Sequence, residues 1–360
     1  MLREGRLATC AKLHVVFQLL RMSVILGSLV ELSRCETWNR DAGWACVCDG
    51  KPRWWWAMKG FLLVILSFPM VAWSGLGEYR DRVVADRPGS RVPVEGVRVT
   101  YLGVNGYLLE SRGTTLLVDP YFTRTSLGAV ALNLRQSSSE EDLAYAAARL
   151  PRRVDAILVT HGHFDHLLDV PKIAQRTGAI IVASETGVNL AKASGVGKTR
   201  AVRPGDRLTT KGAEVRAVEA THDCVLGRVP FPGHRHSVPQ KPRRPSDWVC
   251  GEPLAFVIEM GGKRIYVDSG GTSKVLPPEG LGRVDLAIVG VALPDSRARL
   301  NDTLARLRPR YFLPSHQDNF FRPVQRGFTF GWLTDFSEVA RRSKGERLIL
   351  MDYFSPWTLR

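Results

Sequence analysis

Apolar and polar positions alternate in short blocks from Val97 onward, and the blocks predict several strands before any long helix. Val97–Leu102, Gly106–Glu110 and Thr114–Val118 are successive apolar runs with glycine at the turns, which is the pattern of a β-meander. Glu140–Leu150 is alanine-rich with acidic residues in its first turn, so a helix is expected there. Asp155–Thr160 reads as a buried strand. A helix over Asp165–Thr177, a strand over Ala179–Ser184 and a further helix from Thr186 follow. Glu214–Ala220 is a strand, and Ala255–Glu259 and Arg264–Val267 form a hairpin across Gly261 and Gly262. Val284–Val289 and Tyr311–Leu313 are further strands, with helices at Asn301–Leu307 and Phe336–Arg342. Meanders mixed with crossover units predict sheets covered by helices, a layered α/β sandwich.

Upstream of Val97 the pattern changes. Residues 75–94 are polar, charged and proline-containing, and read as a linker onto the fold. Before them, Met58-Lys59-Gly60 is a short basic stretch, followed by an apolar run from Phe61 and by small residues at Ala72 and Ser74. Residues 58–74 therefore read as a signal peptide, short for a stable bilayer span, with an uncleaved signal anchor as the alternative. Residues 1–57 hold Cys10, Cys35, Cys46, Cys48 and the run Trp54-Trp55-Trp56, and are unlike the rest. They are read as an over-extended N-terminus, with Met58 as the biological start. Cleavage and export, to a periplasm or the exterior, would leave Cys224 and Cys250; a disulfide and two buried thiols are both open.

The chemistry gathers where strands end. Thr160-His161-Gly162-His163-Phe164-Asp165-His166 puts three imidazoles and a carboxylate in one tight loop directly after a buried strand. Such a cluster is costly to bury unless something pairs it, and imidazole with carboxylate is the donor set that borderline cations such as zinc prefer. His222 stands just past the strand Glu214–Ala220, Asp268 leaves the hairpin, and His316 follows Leu313-Pro314-Ser315.

The H-x-H-x-D-H run, the later His222, Asp268 and His316, and the early Leu117-Val118-Asp119-Pro120 together resemble the metallo-β-lactamase superfamily, in the order that family keeps them. The resemblance runs from about Val97 to Asp352 and implies a four-layer αββα sandwich with the site at one edge. It implies that His161, His163 and His222 bind one metal. Asp165, His166 and His316 would then bind a second, with Asp268 bridging both and Asp119 bracing the histidine loop from behind. Two zinc ions are expected, since every donor is nitrogen or oxygen; manganese or iron fit the same set. Dications about 3.5–4 Å apart need anionic groups between them, which Asp268 and a shared hydroxide would supply, and that hydroxide would be the nucleophile. Asp165 and Asp268 are the expected catalytic carboxylates.

Substrate is harder to read. The stretch 223–251 is an insertion that begins directly after His222 and carries Arg228, His234, Arg235, His236, Lys241, Arg243 and Arg244. Cations there suit an anionic group, with His234, Arg235, His236 and Asn319 as candidate substrate contacts. The aromatics after His316, from Phe320 to Trp332, suit an apolar group or plain core packing. The early Tyr101-Leu102-Gly103 and Asp119-Pro120 look most like the branch holding ascorbate-6-phosphate lactonase and N-acyl phosphatidylethanolamine phospholipase D. An exported hydrolase of a phosphodiester or phospholipid-like ester is therefore expected, with lactone hydrolysis as the alternative. A mono-iron persulfide-type oxidoreductase and a non-catalytic metal-binding module are the other classes. A formal net charge of +15 suits acidic substrates, anionic lipid surfaces or nucleic acid and selects none of them, or reflects arginine-rich coding; a small-molecule or lipid-like anionic substrate is expected, with membrane-surface association open and no nucleic acid partner. Oligomeric state is not legible.

Overall fold

The computed structural model describes residues 75–225, 227–269, 277–332, 334–343 and 347–360. The readings made for residues 1–57 and 58–74 lie outside the described residues. Among those described, no helix is long and apolar enough to cross a membrane.

Strands β1 (Val97–Gly103), β2 (Gly106–Ser111) and β3 (Thr114–Val118) form the expected meander, and β3 then pairs in parallel with β4 (Ala156–Leu158). β5 (Ile180–Ala183) and β6 (Thr199–Ala201) continue that sheet, and β13 (Trp357–Leu359) closes its other edge against β1. The second sheet runs β12-β11-β10-β9-β8-β7, from Tyr311–Ser315 through Leu286–Gly290, Lys263–Asp268, Leu254–Met260 and Ala213–Glu219 to Arg207–Thr209. Helices α1 (Leu127–Ala131), α2 (Glu140–Ala147), α3 (Phe164–Leu167), α4 (Val170–Thr177) and α5 (Glu185–Ala193) lie along the first half of the chain. The second half carries α6 (Pro294–Ala298), α7 (Leu300–Leu307) and α8 (Phe336–Arg342). Serine hydroxyls cap α2 and α5 by accepting from Asp142 N and Gly187 N, and the left-handed Gly178 ends α4.

The strand period of two sorts the core. Ala156 and Leu158 point inward with Val99, Tyr101 and Leu116, against Val215, Phe256, Ile258 and Leu313 of the other sheet. Ile157 and Val159 point outward, onto Leu143 of α2, Ile173 of α4 and Leu190 of α5. On the far side, Val257, Tyr266, Ala287 and Phe312 pack on Leu304 and Leu307 of α7 and Val339 of α8. Helix, sheet, sheet, helix: this is the four-layer αββα sandwich.

Three local expectations need correction. The segment 75–94 is not a free linker: a 3-10 helix at Leu76–Arg82 lays Leu76 and Tyr79 on the outer helical core, and Val84 N bonds Leu350 O at 2.9 Å. The helix expected over Asp165–Thr177 is two helices, broken at Leu168–Asp169. Asp169 is buried there, and its carboxylate accepts from Phe122 N, Thr123 N and Thr123 Oγ1 at 2.7–2.8 Å. Short elements without readable periodicity (β6, β7, β13, α1 and α6) were not anticipated.

Candidate metal centre

The C-terminal ends of β3 and β4 in one sheet, and of β8, β10 and β12 in the other, open onto the same edge. The sheets meet there at Thr160, whose carbonyl accepts from Leu254 N at 2.8 Å and whose hydroxyl lies 3.1 Å from Ser269 Oγ. The histidine loop that follows presses against the insertion. A side chain at Gly162 would meet Val249 O at 2.3 Å, so only glycine fits between His161 and His163.

Among the described residues two groups of three donors result, each with its atoms within 4.8 Å of one another: His161, His163 and His222, and Asp165, His166 and His316. His161 Nε2 faces His163 Nδ1 at 2.9 Å, and Asp165 Oδ2 lies 3.1 Å from His316 Nε2 and 3.4 Å from His166 Nε2. The rings of His161 and His166 sit 4.0 Å apart between centroids, so the triads are neighbours. Asp268 is in neither triad. It is buried at the end of β10 and accepts from Tyr266 Oη at 3.3 Å.

The far nitrogens of three histidines are tied to acceptors, which aims the remaining lone pair at the triads. His163 Nε2 donates to Pro230 O at 2.8 Å, His222 Nδ1 to Asp223 O at 2.7 Å, and His166 Nδ1 to Asp119 Oδ2 at 2.8 Å. Asp119 has φ +38° and is fully buried, and its two oxygens also accept from Thr160 N, Thr160 Oγ1 and Asn105 Nδ2. It thus lies behind the histidine loop. His316 also holds a left-handed backbone, φ +55°, with its amide bonded to Val104 O at 2.8 Å. Non-glycine residues adopt such angles rarely, and here two of them flank the same cluster.

Burial, reinforced by neighbouring imidazoles, keeps the first triad neutral. His161 is held well below the ordinary imidazole range, His163 is pushed down to about 3 and His222 to about 4. The second triad is different. Burial disfavours charge on His166, but Asp165 and Asp119 outweigh it and hold its pKa up at about 10. Burial likewise opposes charge on Asp165, yet His166 and His316 keep its carboxyl well below the usual range. Ligation needs neutral imidazole and ionised carboxylate: His161, His163, His222 and Asp165 already hold those states, His166 reaches its own by giving up a proton, and the donors present thus fit a bound cation at each triad.

The other predicted contacts lie elsewhere. His234 pairs with Glu252 at 2.8 Å and His236 with Glu185 at 3.4 Å, both exposed, while Arg235 N bonds Thr186 Oγ1. Arg235 and His236 fasten the insertion to α5, His234 holds to Glu252 at the insertion's own exit, and none of the three joins the imidazole cluster. Asn319 is buried and its Oδ1 accepts from Phe321 N, a turn-making role. Residues that do touch the cluster include Ser269, whose Oγ lies 3.3 Å from His161 Nδ1, Pro230, Phe231, edge-on to His163 at 6.3 Å, and Phe320, edge-on to His316 at 5.3 Å. Their sequence signal was only position, a few residues beyond a ligand. Cys224 and Cys250 are both free thiols, and burial pushes the Cys250 thiol up to about 12.

Over residues 98–316, more than half of the chain, the sequence matches the family described as the beta-lactamase superfamily domain. The chain is a member of the metallo-β-lactamase superfamily. This superfamily member is similar to a UPF0173 metal-dependent hydrolase of Carboxydothermus hydrogenoformans, 26% identical over 230 residues covering 62% of this chain and 86% of the relative. It is also similar to one from Desulfitobacterium hafniense, 32% identical over 204 residues covering 54% and 78%. Among solved structures it resembles Igni18, a metallo hydrolase from Ignicoccus hospitalis, at 18% identity and TM-score 0.47, covering 73% of this chain and 98% of that one.

Proposed function

We propose that this superfamily member is an exported metal-dependent hydrolase of an anionic ester, a phosphodiester or phospholipid-like molecule, with lactone hydrolysis as the nearest alternative. The observation that carries the hydrolase reading is the pair of adjacent triads, three imidazoles in one and two imidazoles with a carboxylate in the other, each with its donor atoms within 4.8 Å of one another. His161, His163 and His222 would hold one zinc ion, and Asp165, His166 and His316 a second. When bound, such a pair brings the pKa of water down to about 7 and polarises a phosphoryl or carbonyl oxygen.

The chain's own residues do the rest. Asp119, Asp223 O and Pro230 O fix the imidazole tautomers and ring angles. Asp165 stays anionic at neutral pH, so it can orient a water as well as ligate. Phe231 and Phe320 stand one against each triad and limit water access from the sides they cover. Anionic substrate is supported by the insertion, where Arg228, Arg235, Lys241, Arg243 and Arg244 occur between Cys224 and Ser246 without one Asp or Glu. Export is supported by the segment 58–74 alone.

The test is metal content by elemental analysis, with turnover of bis(p-nitrophenyl) phosphate, a lactone and nitrocefin by wild type and Asp268→Ala. Two zinc ions per chain and phosphodiester turnover lost in the variant are expected. A single iron with oxygen uptake, or two metals and no turnover of any substrate, would remove the phosphodiesterase reading.

A further inference from the structure

The segment between β3 and α2 carries an apolar surface that the metal centre does not use. Leu127, Leu132 and Leu134 are 41%, 65% and 50% exposed, whereas Val130 of the same short helix packs on the core. Leucines left in water at neighbouring positions are unusual for a chain with this much burial capacity. The segment is also held to the insertion by a set of hydrogen bonds. Asn133 Nδ2 donates to Ser246 Oγ at 2.9 Å, Ser246 N to Asn133 Oδ1 at 3.1 Å, Arg244 Nη1 to Asn133 O at 3.3 Å, and Gln136 N to Arg243 O at 2.6 Å.

That union sets the leucines beside exposed Arg135, Lys241, Arg243 and Arg244. No acid lies between Asp119 and Glu140 in one segment, nor between Asp223 and Asp247 in the other. The carboxylate of Asp247 itself accepts from Arg243 N and Arg244 N. The insertion that places Pro230 against His163 thus continues, within the same loop, to this basic and leucine-bearing rim.

We propose that the rim formed by residues 127–135 and 241–246 docks onto an anionic lipid surface. Leucines would enter the headgroup boundary while the cations meet lipid phosphates, the two signals that stable interfacial binding requires. Docking there would present the metal edge to an ester held in the same surface. That last step rests on the hydrolase reading; the docking itself does not.

The experiment uses the full chain and vesicles of phosphatidylcholine, alone or with roughly a third phosphatidylglycerol. Co-sedimentation of wild type should be several-fold tighter on the anionic vesicles, and the preference should fade with salt. Each lost cation weakens attraction to such a surface by about fivefold, so Arg135→Gln with Arg243→Gln should weaken it roughly 30-fold. Leu132→Ser with Leu134→Ser should weaken binding to both vesicle types. Any contribution from residues 1–74 is the same in all variants and cancels. Near-UV circular dichroism unchanged from wild type shows that the variants remain folded. Equal binding to both vesicle types, or variants that bind like wild type, would overturn the proposal. So would a concentration-dependent dimer lost in the leucine variant, which would assign the rim to a second copy of the chain. Because binding is read without turnover, failure of docking and failure of hydrolysis are separate results.

Discussion

Asp119 Oδ2 lies 2.8 Å from His166 Nδ1, and the same carboxylate holds Thr160 by both its amide and its hydroxyl. One buried anion therefore fixes the root of the histidine loop and the ring of one candidate ligand. The loop's other end is fixed from the second sheet's side by Pro230 O on His163.

Asp119→Asn keeps an acceptor for the Thr160 amide but loses the charge that favours an N–H on His166 Nδ1. Affinity of the Asp165, His166 and His316 triad for zinc is expected to fall by ~10–100-fold, with the other triad almost unchanged. Competition against a chromophoric chelator resolves the two steps. Equal weakening of both, or of neither, would contradict the assigned role.

Metal loading should show an asymmetry in protons. Without metal, His166 is held at about 10, above an unfolded value of about 6.5. Its ion pairs with Asp165 and Asp119 therefore contribute stability that is complete below about pH 6.5 and is lost as pH rises through about 10. A cation at that triad must displace the proton, so at pH 7–8 about one proton is released on filling it. Its apparent affinity should climb by up to about tenfold per pH unit over that range. The triad of His161, His163 and His222 is already neutral there and should bind with little pH dependence. Calorimetry in two buffers of different ionisation enthalpy measures this directly. Buffer-independent heats for both steps would refute it.

The legible part of this site was the part written as strand ends. His161, His222, Asp268 and His316 each follow an apolar run by one to three residues, so strand ends marked their places, and the resemblance to the family's ordered motifs implied their role. The contacts guessed from proximity along the chain were less secure. His234 and His236 follow His222 closely, yet they turn back to Glu252 and Glu185, because a loop's direction is set by the element it packs on and not by its starting point. Pairs distant in sequence were invisible for the same reason. Arg124 meets Asp318 and Asp318 meets Tyr353 only because the segments after β3 and β12 and the C-terminal segment converge, and a lone charge in a loop carries no mark of burial. The break at Asp169 was hidden too, since its carboxylate answers to Phe122 and Thr123 and not to its own helix.

Asp223 couples His222 to α6. Its backbone carbonyl accepts from His222 Nδ1, and its buried carboxylate accepts from Ser296 N at 2.8 Å and from Ser296 Oγ. Asp223→Ala would remove the carboxylate that accepts from both Ser296 donors, which is expected to destabilise the fold by ~2–4 kcal/mol. Urea unfolding of the metal-free protein reads this. Because the backbone carbonyl survives, affinity at the His161, His163 and His222 triad should change less than stability does. An unchanged urea midpoint would show that the link to α6 carries no weight.

The buried pair Arg124–Asp318, 3.1 Å apart, stands behind the second triad. Asp318 Oδ1 accepts from Val104 N at 3.0 Å, and Val104 O accepts from His316 N at 2.8 Å, so one carboxylate reaches the strained His316 backbone through a single residue. Two charges so deeply buried are costly apart and tolerable together. Arg124→Met strands the carboxylate and Asp318→Asn strands the guanidinium, and each should destabilise by ~3–5 kcal/mol. The double variant strands neither, so its loss should fall short of the sum by ~0.5–3 kcal/mol, as a double-mutant cycle in urea would record. Asp318→Asn should in addition weaken zinc at the Asp165, His166 and His316 triad more than at its neighbour. Strict additivity, with zinc affinity intact at both triads, would mean that the pair only fills space and that His316 owes its position to the β12 strand alone.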